Sequence, residues 1–118
     1  MDGNSRWAKK KKISRKKGYQ KGFDKISEII ELSLEKKIKF LTFFALSSEN
    51  FKRPSTNIIF ELILCNYDNF LQKITKENKV KVKIFGNIND LPKKTKKIIE
   101  KIEVLTKENT QLYLNIAL

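Results

Sequence analysis

The sequence predicts an α/β fold, in which helices alternate with the strands of a mainly parallel sheet and lie on both of its faces. Some segments repeat apolar residues at three- and four-residue spacing, which is typical of helices. Other segments are short apolar runs rich in β-forming residues, and the two kinds alternate along 118 residues, a length typical of one domain. With 40% hydrophobic and 33% charged residues, the composition is that of a globular protein rather than a disordered one.

The first half of the chain predicts a loop, a helix and a strand. Residues 1–18 are polar and basic, with Gly3 and Gly18 as turn signals. The first helix then follows from a single apolar stripe: Phe23, Ile26, Ile30 and Leu34. Residues 38–46 form a short apolar run, which predicts a strand buried on both faces.

The second half continues the alternation. Residues 55–75 predict a helix that is apolar nearly all round, and therefore buried or lining an apolar cavity. Residues 80–85 alternate as a strand, and a turn at 86–90 leads to a helix that begins near Pro92. Its inward side is predicted to consist of Ile98, Ile99, Ile102 and Leu105. Residues 111–118 predict the last strand.

Charge and composition restrict the chemistry. An excess of 26 Lys and Arg over 13 Asp and Glu gives a net charge of +13, which attracts nucleic acid, anionic lipid or phosphorylated metabolites. Because the chain has no histidine, any metal must be bound by oxygen, which favours Mg²⁺. The single cysteine, Cys65, forms no internal disulfide and is predicted to be a buried, inert thiol. No signal peptide or spanning segment is apparent, so we expect a cytoplasmic protein.

A first candidate site is the segment Asp2-Gly3-Asn4-Ser5-Arg6-Trp7. A small loop that opens onto a helix offers backbone N–H groups to an anion, and Arg6 can bind phosphate in a bidentate way. Asp2 would repel a phosphate unless a Mg²⁺ ion bridged the two groups. The alternative is an ordinary turn.

A second candidate is the segment 47–54, which follows the predicted strand at the carboxyl edge of the sheet. In open parallel sheets ligands bind at that edge. The alternative is a polar loop that caps the next helix.

A third segment, Lys9–Lys12 with Arg15, Lys16 and Lys17, fits a nucleic-acid patch, although a solvated helix face is the favoured interpretation.

Three segments together resemble the bacterial undecaprenyl diphosphate synthases and their cis-prenyltransferase relatives. They read MDGNSRWAKK, FFALSSENFKRP and LTKENTQLYLNIAL, in that order. The resemblance implies an enzyme that adds isopentenyl diphosphate to an allylic diphosphate, usually farnesyl diphosphate, with Mg²⁺ as cofactor. It implies a homodimer whose polyprenyl diphosphate product is a cell-wall lipid carrier, and peripheral membrane contact through that product.

The resemblance also assigns site residues. Asp2 matches the catalytic, metal-binding aspartate, and Asn50 matches the asparagine assigned as proton acceptor. An amide is a poor general base, so we expect Asn50 to position a diphosphate oxygen or a water molecule. The remaining matches are substrate-binding positions: Gly3, Asn4, Ser5, Arg6, Trp7, Arg15, Tyr19, Ser47, Ser48, Glu49, Phe51 and Arg53.

Four positions depart from the family pattern. Ser5 stands in place of glycine, Tyr19 of histidine, Phe51 of tryptophan and Asn57 of glutamate. The substitution at Tyr19 removes a titratable contact from the expected diphosphate pocket. The tunnel for the growing chain is expected along residues 58–74.

The resemblance covers the N-terminal half of a single family domain, residues 1–118, so the fold is expected to be truncated at both ends. The first strand of the family, its N-Y-G-G segment and its R-T-G-G-E segment, which supplies the isopentenyl diphosphate site, are absent. We therefore expect at most weak binding of an allylic diphosphate and no condensation. The alternatives are an inactive remnant, a basic nucleic-acid-binding module, for which the charge is the only support, and a partner of a full-length synthase.

Overall fold

The computed structural model describes residues 3–45, 55–75 and 79–118. The elements are α1 (Asn4–Lys10), α2 (Arg15–Glu35), β1 (Phe40–Phe44), α3 (Ser55–Thr75), β2 (Val80–Phe85), a 3₁₀ turn (Ile88–Asp90), α4 (Lys93–Leu105) and β3 (Leu112–Ala117). The predicted alternation of helices and strands is confirmed. None of the helices in the described ranges is both long and apolar enough to span a bilayer.

The three strands form one parallel sheet in the order β1-β3-β2, so the last strand of the chain lies in the centre. Leu114 of β3 is in register with Leu41 of β1 and Val82 of β2. All strands point the same way, and their carboxyl ends therefore meet at one edge of the sheet.

The core lies on one face of this sheet. Alternate residues of β2 and β3 point to that face and are almost fully buried: Val80, Val82, Ile84, Leu112 and Leu114. Helices α2 and α4 add Ile30, Ile99 and Ile102 to the same cluster, and Phe60 and Phe70 of α3 pack against it.

The opposite face is open in the described residues. Phe40 and Phe44 of β1 are 68% and 60% exposed, and Phe85 of β2 is 49% exposed. The sequence predicts helices on both faces, whereas in the described ranges the apolar stripes of the helices join a single cluster on one face. The expectation that β1 is buried on both faces is wrong, because its residues alternate between the core side and this open side.

The N-terminal region is more ordered than a loop. The prediction of a loop over residues 1–18 is wrong, since α1 lies within it and α2 begins at Arg15. The side chain of Ser14 caps α2 by accepting a hydrogen bond from the Lys17 N–H at 3.2 Å. Gly18 is a buried helix residue rather than a turn residue, because α1 packs closely against it.

Two further predictions of burial are wrong. Cys65 is exposed, because α3 is apolar around more of its circumference than the described core covers. Leu105 is 50% exposed, since it is the last residue of α4, beyond the part that packs on the core.

Candidate functional site

Gly3 sets the start of α1. Its φ of 86° lies in the left-handed region, which glycine adopts without the steric cost that other residues incur. The Gly3 carbonyl accepts a hydrogen bond from the Trp7 N–H at 2.8 Å, the first turn of the helix. The turn places Asn4 beside Gly18 and Gly22 of α2, and Ser5 beside Tyr19.

The contact between α1 and α2 is close because α2 carries glycines there. A Cβ atom on Gly18 would lie 2.7 Å from the Ala8 Cβ and 2.8 Å from the Asn4 carbonyl oxygen. Next to this contact the Ser5 hydroxyl donates a hydrogen bond to the Tyr19 hydroxyl at 3.3 Å. Ser5 and Tyr19 are two of the four positions that depart from the family pattern, and the structure brings them together.

A cavity of about 660 Å³ opens beside these residues, a volume within the usual range for small-molecule sites. The lining residues from α1, the preceding Gly3 and the start of α2 are polar or cationic: Gly3, Asn4, Ser5, Arg6, Arg15 and Tyr19. The rest of the wall comes from later turns of α2, from α3 and α4, and from the three strands and adjoining residues. It includes the polar Thr56, Asn66 and Thr95 but is mainly apolar: Phe23, Ile26, Phe43, Ala45, Ile59, Phe60, Leu62, Ile63, Phe70, Ile84, Leu91, Ile98, Ile99, Ile102, Ile116 and Leu118.

The wall formed by α3 is held by polar contacts to α2. Gln20 and Asn66 exchange two side-chain hydrogen bonds, of 3.2 and 3.1 Å, and the Asn66 amide also donates to the Leu62 carbonyl at 2.8 Å. An exposed ion pair joins Lys16 to Glu61 at 3.5 Å. These contacts fix the separation of the two helices along the cavity. The expectation that residues 58–74 wall an apolar space agrees with the lining by Ile59, Phe60 and Ile63.

The structure gathers six of the predicted site residues at this cavity, namely Gly3, Asn4, Ser5, Arg6, Arg15 and Tyr19. Trp7 is not among the lining residues and is 42% exposed. The other predicted positions lie outside the described residues: Asp2, Ser47, Ser48, Glu49, Asn50, Phe51 and Arg53.

The described residues contain no cluster of three or more acidic or cysteine side chains that could bind a metal ion. The predicted metal ligand, Asp2, lies outside those residues. Sequence reasoning missed the role of Gly22, which contacts Asn4, because a glycine in a helical pattern gives no sign of its neighbour.

The comparisons with known proteins decide the family. The family model for undecaprenyl diphosphate synthases matches residues 1–118, the whole chain. The chain belongs to this family of prenyltransferases. This family assignment agrees with the three segments quoted above and with the α/β fold.

Similar proteins are bacterial and plant prenyltransferases. An isoprenyl transferase of Halalkalibacterium halodurans is 41% identical, with 100% of this chain and 46% of the relative aligned. The ditrans,polycis-undecaprenyl-diphosphate synthase of Micrococcus luteus, described as (2E,6E)-farnesyl-diphosphate specific, is 39% identical over 100% of this chain and 48% of its own length.

The crystal structure of lavandulyl diphosphate synthase from Lavandula x intermedia, in complex with dimethylallyl diphosphate, superposes with a TM-score of 0.86 at 26% identity. The superposition covers 100% of this chain and 51% of the lavender enzyme. The chain thus spans about half the length of the relatives that it matches.

Proposed function

We propose that this chain is the N-terminal half of a cis-prenyltransferase domain and carries its site for an allylic diphosphate. The observation that supports this most directly is the cavity, which combines two arginines and the hydroxyls of Ser5 and Tyr19 with a mainly apolar wall. An allylic diphosphate has the matching chemistry, an anionic head on a hydrocarbon tail. The same observation favours this ligand over nucleic acid, which has no hydrocarbon tail to fill the apolar wall.

In this proposal the head of the ligand binds at Arg6 and Arg15, and its tail lies between α2, α3 and α4. Departure of diphosphate from an allylic carbon develops negative charge on the leaving group, which positioned guanidinium groups stabilise. Asp2 would bind Mg²⁺, which when bound adds further neutralising charge to the diphosphate. Asn50 would position a diphosphate oxygen or water, with Trp7, Ser47, Ser48, Glu49, Phe51 and Arg53 as further substrate contacts.

The whole reaction is part of the same proposal. It is the addition of isopentenyl diphosphate to farnesyl diphosphate, giving a polyprenyl diphosphate lipid carrier, by a homodimer in the cytoplasm that meets the membrane through its product. The names of the relatives support this through the farnesyl-diphosphate specificity of the M. luteus enzyme and the dimethylallyl diphosphate bound to the lavender enzyme. We expect the 118-residue chain to bind the first substrate without condensing it with the second.

Calorimetric titration of the chain with farnesyl thiodiphosphate, a slowly reacting analogue, tests the proposal. We expect saturable binding that Arg15→Ala weakens at least tenfold, because a charge-assisted contact to the diphosphate is lost. Lys97→Ala is the matched control, since it removes one exposed cation from α4 away from the cavity, and it should leave the affinity unchanged.

Equal losses in both variants would show that only the overall charge matters, and the proposal of a specific site would then be wrong. Absence of binding with and without Mg²⁺ would also contradict it. Inorganic diphosphate and farnesol serve as separate competitors. Both should bind more weakly than the complete analogue if the polar and apolar parts of the cavity act on one ligand.

A further inference from the structure

The side chain of Asn4 lies directly on the backbone of α2 at Gly22. A Cβ atom built on Gly22 would be 2.6 Å from Asn4 Oδ1, 3.1 Å from Cγ and 3.2 Å from Nδ2. The distance to Oδ1 is shorter than real Cβ contacts and the other two are tight, so a side chain at position 22 would force the Asn4 amide to move. Gly22 lies within helix α2, so an unusual backbone conformation is not the reason for a glycine at this position.

Gly18, one turn earlier on α2, has a different set of neighbours. A Cβ atom there would meet the Ala8 Cβ at 2.7 Å and the backbone carbonyl of Asn4 at 2.8 Å. Gly18 thus sets how closely the two helices approach, and Gly22 accommodates one side chain. The difference matters because helix α1 must shift to relieve a clash at Gly18, whereas rotation of the Asn4 side chain relieves a clash at Gly22.

Glycine in the interior of a helix destabilises that helix relative to alanine. Its presence at position 22 therefore calls for a local reason, and the Asn4 amide is the group that occupies the space. Neighbouring polar groups are held in a similar way, since Ser5 donates to the Tyr19 hydroxyl of the same helix. The surface of α2 formed by Gly18, Tyr19 and Gly22 is thus a template for the polar lining of the cavity.

We infer that Gly22 is a positioning residue, which fixes the Asn4 amide in the orientation that it presents to a bound diphosphate. The inference rests on the proposed function, because Asn4 lines the cavity with Arg6 and Arg15. The amide N–H₂ group can donate to a diphosphate oxygen, and a preset orientation lowers the entropic cost of that contact. Gly22 itself touches no substrate and acts only through Asn4.

The variant Gly22→Ala tests this directly, with two measurements. We expect the dissociation constant for farnesyl thiodiphosphate to rise at least fivefold, because the methyl group displaces the amide. The melting temperature should stay the same or rise, because alanine favours the helix and only a side chain moves. In contrast, Gly18→Ala should lower the melting temperature by several degrees, because its clash is with backbone.

A double-mutant cycle separates positioning from general packing. In the Asn4→Ala background the amide is absent, so adding Gly22→Ala should not change the affinity further. A role in packing alone would instead lower the melting temperature of Gly22→Ala and give the same affinity loss in both backgrounds. Unchanged affinity of Gly22→Ala in an otherwise native chain that binds the analogue would overturn the inference and leave the proposed function intact.

An NMR measurement without ligand tests the placement of Asn4 by Gly22 separately from the proposed function. In the ¹⁵N-labelled chain we expect nuclear Overhauser contacts between the Asn4 side-chain amide protons and the Gly22 α protons. Their absence would overturn the inference whatever the chain binds. If these contacts are present and the native chain binds no analogue, the proposed function fails, while the placement of Asn4 by Gly22 is supported.

Discussion

The two outer strands of the sheet, β2 and β1, are finished in different ways. The outer edge of β2 is closed by groups from α4 and the turn after it. The Val82 N–H donates to the Thr106 hydroxyl at 3.0 Å and the Ile84 N–H to a Glu103 carboxylate oxygen at 2.9 Å. The Asn109 amide donates to the Val80 carbonyl at 2.8 Å.

The outer edge of β1 meets no strand of the described chain, and its side chains on the open face are exposed. Phe40 stacks on Tyr113 of β3 with ring centroids 5.1 Å apart, and yet remains 68% exposed. Lys81 of β2 lies 5.7 Å from the centre of the same Tyr113 ring. Aromatic and cationic side chains thus share a surface that no described helix covers.

The comparison shows that the described residues cover the outer edge of β2 but not that of β1. An unpaired strand edge invites association, and proteins normally cover or charge such edges. On the β2 side the buried Thr106 and Asn109 do this, at 0% and 7% exposure. The β1 side has no equivalent in the described residues, in a chain that spans about half the length of its relatives.

The largest contrast is expected between the buried centre and the open face. Leu114 is 0% exposed in the central strand, so Leu114→Ala should cost about 2–5 kcal/mol of unfolding free energy through lost burial and a cavity. Phe40→Ala removes a larger side chain, but we expect a loss of at most about 1.5 kcal/mol, chiefly its stacking on Tyr113. Urea unfolding followed by circular dichroism measures both. Similar losses would mean that the open face is covered in solution.

The next comparison makes the same substitution, threonine to valine, beside the covered edge of β2 and in the open strand β1. Thr106→Val keeps the shape of the side chain but removes the acceptor of the Val82 N–H and the donor to the Ile102 carbonyl at 2.8 Å. The Ile102 carbonyl keeps its bond from the Thr106 backbone N–H at 3.0 Å, but the buried Val82 N–H is left without a partner, which should cost about 1–3 kcal/mol.

Thr42→Val in β1 is the matched control. Thr42 is exposed, and its hydroxyl accepts a long hydrogen bond of 3.4 Å from the Asn115 amide. We expect a change within about 0.5 kcal/mol, since surface substitutions away from special features have small effects. Equal effects of the two substitutions would contradict the distinction between a closed and an open edge.

Self-association should respond to charge on the open face. A lysine on an edge strand opposes pairing with another strand, so Phe40→Lys should lower the sedimentation-derived association constant of the chain at least fivefold. Val104→Lys is the control, because Val104 is 73% exposed on α4, away from β1. An equal effect of both changes would assign the association to overall charge rather than to this face.

The smallest effect is expected at the ion pair beside the closed edge. Lys83 lies 3.7 Å from the Glu103 carboxylate, and their side chains are 57% and 27% exposed. Because solvent screens such pairs, Lys83→Gln should change stability by no more than about 0.5 kcal/mol. A loss as large as that of Thr106→Val would show that charge, rather than the hydrogen bonds, closes the β2 edge.

The local sequence pattern predicted a strand well where apolar and charged residues alternate strictly. The alternation of VKVKIF over Val80–Phe85 places the strand correctly, because one of its faces packs on the core and the other is open. The prediction failed at residues 1–18, where lysines and two glycines resemble a loop. The two helices there pack against each other at Gly18 and Ala8, ten positions apart, and no local pattern contains that contact.

For the candidate site, the residue types and the family resemblance identified Arg6, Arg15 and Tyr19, and the structure places them at one cavity. The hydrogen bond between Ser5 and Tyr19 and the fit of Asn4 on Gly22 were beyond sequence reasoning, because both depend on how α1 lies across α2.

By itself, the sequence determined the α/β class, the family and the chemical character of the site, since these follow from periodicity, motifs and residue types. Only the tertiary structure decided that β3 lies between β1 and β2, that one face of the sheet is open, and that α4 closes the β2 edge. These features depend on contacts between residues far apart in the chain, and their energies appear only once the helices and strands have packed together.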